Sequence, residues 1–274
     1  MRIAVISDEL SDDLEGAIQL GTQLGIRSYE LRWVRLPGTF MRRRLSDLSS
    51  EDAAPLSRII RQHEVTVSAI SSGIFHSACT EDELKIQFSR LERCCRLAEA
   101  FQTQNIIIHG FLAQNGRRNG VCPAQVIDCL GRAAQWAGAQ GFHLLLRNTP
   151  DCYADTGTRS AAIVCAVNSP ALSVSWDPCS AFQAGEDAAS EGYDWVSPFV
   201  RDVRVRDQKR RAETGMEDTV LGQGDVEWPA IAHALARDGY QGTLTLGTHL
   251  EPRLLNTLHS IEAIHKLLPA LKRM

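Results

Sequence analysis

The sequence predicts an α/β fold in which eight parallel strands close into a barrel and eight helices surround it. Short apolar runs alternate with longer amphipathic segments along all 274 residues, a pattern typical of a parallel sheet covered by helices. The average repeat of about 34 residues suits one strand and one helix. No G-x-G-x-x-G follows the first apolar run, which disfavours an open dinucleotide-binding sheet.

The first repeat illustrates how each element is recognised. Residues 3–6 read IAVI and form a strand, whereas Leu14, Ile18 and Leu24 recur at helical spacing until Gly25 ends the helix. The same reasoning predicts strands at 2–7, 27–32, 65–71, 104–109, 142–147, 171–176, 200–206 and 241–247. It predicts helices at 11–24, 51–63, 81–101, 122–139, 158–167, 188–197, 227–237 and 255–268. Eight such repeats favour a (β/α)8 barrel, the TIM-barrel fold.

Composition limits the classes of function. Hydrophobic residues make up 44% and charged residues 23%, so we expect a globular chain, with residues 1–274 forming a single domain. The net charge of −4 disfavours nucleic acid as a partner. No apolar run is long enough to span a bilayer, and the first one ends at Ile6 before acidic residues. We therefore expect no membrane partner and a cytoplasmic location, with the eight cysteines reduced because no C-x-x-C occurs.

Two long polar segments are predicted as loops at the carboxyl ends of the strands, the face on which barrel active sites lie. They span residues 33–49 and 207–225. The first contains Arg42-Arg43-Arg44 and the second Lys209-Arg210-Arg211. We interpret both runs as solvated loop surfaces, with a role in binding phosphate or a partner as the alternative.

Alternation of side chains along the strands predicts which residues point into the barrel. Val203 and Val205 should face the helices, which turns the charged residues between them inward. Applied to every strand, this rule collects charged side chains at the barrel mouth: Glu30, Arg32, His109, Arg147, Asp177, Asp202, Arg204 and Arg206. Buried charges are costly unless they are paired or bind a ligand. The cluster therefore indicates a polar ligand site, or alternatively a layer of salt bridges such as Arg147 or Arg204 with Asp177.

Several motifs resemble a known family over nearly the whole chain. They include VISDELSDDLEGAI at the start, LERCCRLAEAF, SVSWDPCSAFQAGED after the sixth strand, and LGQGDVEWPAI before the seventh helix. The chain is similar to the xylose-isomerase-like TIM barrels, which include sugar-phosphate isomerases and epimerases. The resemblance implies one divalent metal held by side chains of strands 5 to 8, with two glutamates that move a proton.

The four positions that the resemblance assigns to metal ligands are occupied here by Arg147, Asp177, Arg204 and Gly247. Arginine carries only hydrogen-bond donors and stays protonated, so it does not ligate a cation. A single carboxylate is a poor divalent site. We therefore expect no metal and no cofactor, and we expect the family's metal-dependent isomerisation to be lost.

Guanidinium groups offer positive charge and forked donors, which suit a carboxylate, phosphate or enolate. Our hypothesis is that Arg147 and Arg204 replace the metal in a pocket for a small anionic or carbohydrate-like compound. The substrate-binding candidates are Arg32, Arg147, Asp177, Arg204 and Arg206. The catalytic candidates are Glu30, His109 and His249, because histidine titrates near neutrality. The alternatives are that Glu30 only pairs with Arg32 or Arg147 and that His109 belongs to a structural hydrogen-bond network.

Three functions remain open at this point. The first is a metal-independent enzyme acting on a small molecule, and the second is a binding pseudoenzyme. The third is a sugar isomerase or epimerase with a metal site rebuilt from Asp177, Asp202, His249 and Glu30. The expected partner is a small-molecule ligand, and a homodimer is an open expectation. DNA cleavage of the endonuclease type is disfavoured, because too few histidines lie at strand ends to bind its metals.

Overall fold

Eight parallel strands close into a barrel in the computed structural model, which describes residues 1–113, 121–213 and 215–272. Neighbours around the barrel are β1, β12, β9, β8, β7, β6, β5 and β2, with β2 returning to β1. The (β/α)8 fold predicted from the sequence is confirmed. The barrel strands are Arg2–Ile6 (β1), Ser28–Leu31 (β2), Thr66–Ile74 (β5), Asn105–Ile108 (β6), His143–Arg147 (β7), Leu172–Trp176 (β8), Val200–Val205 (β9) and Thr243–Leu246 (β12).

Helices cover the outside of the barrel, and several of them begin at residues whose side chains cap the first turn. Asp13 and Thr156 each accept a hydrogen bond from a backbone N–H of the first turn, and Ser49 forms a capping box with Asp52. The helices are Leu14–Gln23 (α1), Ser50–Gln62 (α2), Glu81–Ala100 (α3), Ala124–Gly138 (α4), Gly157–Val167 (α5), Pro178–Gln183 (α6), Tyr193–Val196 (α7), Trp228–Arg237 (α8) and Arg253–Lys272 (α9). None of the helices in the described ranges is both long and apolar enough to cross a membrane.

The structure corrects three predicted segments. Residues 33–49 are not a simple loop, because Trp33–Arg35 (β3) and Arg42–Arg44 (β4) pair as an antiparallel hairpin. Residues 207–225 likewise contain a hairpin, Asp207–Arg211 (β10) with Gly215–Thr219 (β11). The single helix predicted at 188–197 is a π-helical turn followed by the short α7.

The barrel interior has an apolar half and a charged half. Ala69, Ile107 and Leu145, from neighbouring strands, form a small buried cluster separate from the main core between barrel and helices. On the other side, Glu30 of β2 and Arg204 of β9 form an ion pair. In the barrel, β1 and β12 lie between β2 and β9. The two side chains therefore meet across the interior, and their predicted inward orientation is confirmed.

The floor of the barrel, at the amino ends of the strands, contains a perturbed histidine. His143 Nε2 lies 2.9 Å from Ser173 Oγ. Partial burial, together with the charge of Arg201, lowers the pKa of His143 from 6.5 to about 4. The neutral imidazole is therefore the form that the folded chain favours.

We expect part of the stability of the fold to be lost on acidification because of His143. Unfolded His143 takes up a proton near pH 6.5, whereas the folded residue does so only near pH 4, so its stabilising contribution is present above pH 6.5 and declines below it. When the pH is lowered from 7 to 5, the free energy of unfolding should fall in the wild type by about 1 kcal/mol more than in the His143→Gln variant. Urea unfolding at both pH values measures this difference, and equal losses in the two proteins would contradict it.

Candidate functional site

The charged side chains at the carboxyl ends of the strands, here called the barrel mouth, lie in three ion-pair clusters and one histidine pair. The deepest cluster joins Glu30, Arg204 and Asp202. Arg204 Nη1 donates to Glu30 Oε2 and lies 3.8 Å from Asp202 Oδ2, and the Arg204 side chain is 2% exposed. Asp202 also accepts hydrogen bonds of 2.5 Å from Ser175 and Thr245. Burial raises the pKa of Asp202, whereas the charge of Arg204 acts to lower it. Because all three side chains are buried, this cluster is a sealed polar core beneath the mouth.

The second cluster is built around the Asp177 carboxylate, which follows β8. Arg147 Nη2 donates to its Oδ2 at 2.8 Å, and Arg206 Nε donates to the same oxygen at 3.0 Å. Arg206 also reaches Asp218 Oδ1 at 3.0 Å and Ser180 Oγ at 3.2 Å. Burial would raise the pKa of Asp177, but the two guanidinium groups outweigh it and hold that pKa well below its usual range. Asp177 is thus a permanent anion shared by two cations.

Arg147 is the less satisfied of these two arginines. Its side chain is 13% exposed, and its Nε is buried without a hydrogen-bond partner. Burial, together with the nearby charge of Arg204, lowers the pKa of Arg147 from 12.5 to about 10, so the group remains charged at pH 7. The guanidinium of Arg147 therefore offers positive charge at the mouth that Asp177 only partly compensates.

The third cluster holds His249 in a fixed orientation. Arg32 Nη2 binds Asp8 Oδ2 at 2.7 Å and Glu9 Oε1 at 2.9 Å, and its Nη1 lies 3.0 Å from His249 Nδ1. His249 has a left-handed backbone with φ of 60°, and its N–H donates to Glu9 Oε2. The same Nδ1 also lies 3.2 Å from Glu9 Oε1, so it either accepts from the Arg32 guanidinium or donates to the Glu9 carboxylate. Burial lowers the pKa of His249 and favours the neutral ring, whereas the hydrogen bond with Glu9 opposes this shift.

The neutral His109 ring carries its proton on Nδ1. Its Nδ1 lies 2.8 Å from Thr149 Oγ1, and that hydroxyl donates to the Arg147 carbonyl oxygen at 3.3 Å. The hydroxyl oxygen can therefore accept from His109 Nδ1–H, which leaves Nε2 with a lone pair. Burial, followed by the charge of Arg147, holds the pKa of His109 well below 6.5. His76 stacks on His109 with ring centroids 4.8 Å apart.

All eight predicted site residues lie at or just below the mouth, but they do not form one cluster. Arg147, Asp177 and Arg206 are joined directly, as are Arg32 and His249. Glu30 pairs with Arg204 rather than with Arg32 or Arg147.

Four residues of the mouth were not among the predicted site residues: Asp8, Glu9, His76 and Asp218. Asp8 and Glu9 directly follow the first apolar run, and His76 follows a strand just as His109 does. Position at a strand end is therefore the signal that could have identified these three. Asp218 lies on the hairpin of β10 and β11, which was predicted as a loop.

A family model for the xylose isomerase-like TIM barrel matches residues 18–267. The chain belongs to this family. No curated protein matches its sequence.

Solved structures share the fold at low sequence identity. The IolI protein, crystallised with a zinc atom, superposes with a TM-score of 0.81 at 14% identity and covers 100% of both chains. A D-tagatose 3-epimerase-like protein gives 0.75 at 16% identity, covering 99% of this chain and 98% of its own. AsbF, a probable 3-DHS dehydratase from Bacillus anthracis, gives 0.72 at 14% identity, covering 97% and 99%. At these identities the likeness concerns the fold.

The side chains at the mouth do not fit the divalent metal that the family resemblance implies. Both oxygens of Asp177 already accept hydrogen bonds from guanidinium groups, and two arginines at the other positions would repel a cation. At Gly247, an added Cβ would lie 2.3 Å from Ile6 Cδ1, so a ligating side chain there would require the end of the Ile6 side chain to move. Within the described residues, no group of three or more His, Cys, Asp or Glu side chains has the arrangement of a metal site.

We expect Asp177→Asn to destabilise the fold, because it leaves two buried guanidinium groups without their shared anion. Loss of one partner of a buried ion pair costs about 3 kcal/mol, whereas asparagine retains the ability to cap α6. Urea unfolding at pH 7 measures the change. The matched control is Glu217→Gln, which breaks the exposed pair with Arg211 and should cost under about 0.5 kcal/mol. Similar losses in both variants would contradict the central role of Asp177.

Proposed function

We propose that this chain binds a small anionic, carbohydrate-like compound at the barrel mouth and transforms it without a divalent metal. Arg147 and Arg204 occupy two positions at which the family resemblance places metal ligands. The observation that carries the proposal is Arg147, a charged guanidinium at the mouth that pairs with Asp177 and whose buried Nε has no partner among the described residues. Such a group suits a carboxylate, phosphate or enolate oxygen.

The two arginines have different roles in this proposal. Arg204 is sealed beneath the mouth and paired with Glu30 and Asp202, so it does not touch the ligand. Arg147 makes the direct contact. Asp177 positions Arg147, because its carboxylate holds Nη2 at 2.8 Å.

A neutral histidine at the mouth favours an enzyme over a binding-only protein. His109 presents a lone pair on Nε2, because its Nδ1–H donates to Thr149, and it can therefore accept a proton. We assign His109 as the general base, which in its protonated form is also the acid that returns the proton. We assign His249, held by Arg32 and Glu9, to bind an oxygen atom of the ligand.

The names of the structural neighbours support the class of ligand. A D-tagatose 3-epimerase-like protein and a probable 3-DHS dehydratase share this fold. Both names denote reactions of small oxygenated compounds. The proposal retains that class of compound and replaces the metal by guanidinium groups.

We expect the purified protein to bind no stoichiometric metal. After incubation with Mn²⁺, Mg²⁺ and Zn²⁺ and removal of free ions, mass spectrometry should detect less than about a tenth of an equivalent of each, because lone carboxylates bind divalent ions weakly. Close to one equivalent of any of these metals would contradict the proposal and would favour the alternative of a rebuilt metal site.

Substitution of Arg147 should weaken ligand binding. A panel of sugar acids and sugar phosphates is titrated into the wild type and into Arg147→Met, which keeps much of the side-chain volume without the charge. We expect affinity to fall by about tenfold or more, the effect of losing one charge-assisted contact. Arg211→Met is the matched control, because Arg211 lies in an exposed pair on β10. Equal affinity in wild type and Arg147→Met would contradict the proposal.

A further inference from the structure

Four basic side chains lie next to one another on one side of the mouth. Arg44, His76, His109 and Arg147 follow the contiguous strands β2, β5, β6 and β7, and they are here called the basic half. The carboxylates of Asp8, Glu9, Asp177 and Asp218 follow strands β1, β8 and β9, on the other side. We infer that the basic half is a subsite for a terminal oxyanion, phosphate or carboxylate, with Arg44 as its specificity-determining residue. This inference rests on the proposed function and adds an orientation for the ligand.

Arg44 reaches the mouth because of the hairpin of β3 and β4. It lies opposite Trp33 in the antiparallel register, and its guanidinium carbon is 4.9 Å from the centre of the indole ring. Stacking of this kind orients the guanidinium while leaving its N–H donors available. Gly73 makes room for the group, since an added Cβ at that position would lie 3.1 Å from Arg44 Nη1.

The three consecutive arginines of β4 have different partners. Arg42 Nη1 lies 3.6 Å from Asp12, and Arg43 Nη1 lies 3.2 Å from Asp52. Across the parts of the chain that the structure describes, Arg44 makes no ion pair with a carboxylate. Arg42 and Arg43 are therefore paired residues of a solvated surface, as the sequence predicts for the whole run. Arg44 lacks such a carboxylate partner among the described residues, and its charge lies next to the barrel.

The two histidines lie beside the same positive charges. Their rings stack at 4.8 Å, and Thr149 links His109 to the backbone of Arg147. Burial lowers the pKa of both rings, and the charges of Arg44 and Arg147 lower it further, while Asp151 opposes this at His76. Two arginines thus raise the local potential felt by both imidazoles, which is the electrostatic condition that favours a bound anion.

The carboxylates on the other side of the mouth contribute to the orientation of the ligand. Carboxylates there are already paired with Arg32, Arg147 and Arg206, and their oxygens can also accept hydrogen bonds from hydroxyl groups. A ligand with an oxyanion at one end and hydroxyl groups at the other is therefore oriented in one way. Its oxyanion contacts Arg44 and Arg147, and its hydroxyl end faces Glu9 and His249.

Isothermal titration at low ionic strength tests the subsite with two probes, inorganic phosphate and acetate. The proteins are the wild type, Arg44→Gln, Arg42→Gln and Arg147→Met. Arg42→Gln is the matched control, because Arg42 also lies 5.1 Å from the centre of the Trp33 ring but pairs with Asp12. We expect Arg44→Gln to weaken the preferred probe by about tenfold and Arg42→Gln to change it by less than about twofold. The tighter probe identifies the oxyanion.

The outcomes separate this inference from the proposed function. Binding that is lost in Arg147→Met but equal in Arg44→Gln and Arg42→Gln would overturn the subsite and leave the proposed function intact. Binding that is unchanged in both Arg147→Met and Arg44→Gln would overturn both. A wild type that binds neither probe at about 50 mM, where even a weak charge-assisted site is occupied, would overturn the subsite. In Arg44→Lys, which keeps the charge but loses the fork of donors, we expect partial recovery of affinity.

Discussion

The shared carboxylate of Asp177 is the constraint on which the mouth depends. It joins the ends of β7, β8 and β9 through Arg147 and Arg206, and it also caps α6. Without it, two buried guanidinium groups would repel each other in a medium that screens charge poorly. Asp218 adds a second carboxylate at Arg206, so the charges of the four groups balance, but Asp177 is the carboxylate that Arg147 must share with Arg206. Arg147, the more exposed of the two arginines, is therefore also the less compensated one.

Glu30, Arg204 and Asp202 place charge where barrels usually carry branched apolar side chains. Such an ion-pair core is not in itself stabilising, because desolvation offsets most of the Coulomb attraction. Burial, together with the charge of Arg204 in this core, lowers the pKa of Arg147 to about 10, which leaves Arg147 protonated at pH 7. The buried pair thus shapes the potential of the mouth without exposing a group to a ligand.

Sequence reasoning predicted the barrel and the orientation of its charged side chains, because strand alternation is a local property. The pair of Arg147 with Asp177, offered there as an alternative, is present. The pairing of Glu30 with Arg204 was not predicted, since these residues meet across the barrel and that contact depends on strand stagger. His76 was missed because β5 runs on to Ile74 through a register shift, three residues beyond the predicted end at residue 71. The β3–β4 hairpin was missed because Arg42-Arg43-Arg44 lacks the apolar alternation of a strand.

The barrel mouth does not have room for a divalent metal while the guanidinium groups occupy its ligand positions. A carboxylate at position 147 would restore one ligand, but it would leave Asp177 bound to Arg206 and Arg204 paired with Glu30. A ligating side chain at Gly247 would additionally have to displace Ile6. Restoring the metal therefore requires coordinated changes on β7, β9 and β12 together with the wall of β1. The arginines, their carboxylate partners and the Ile6 side chain at Gly247 therefore form one interdependent arrangement.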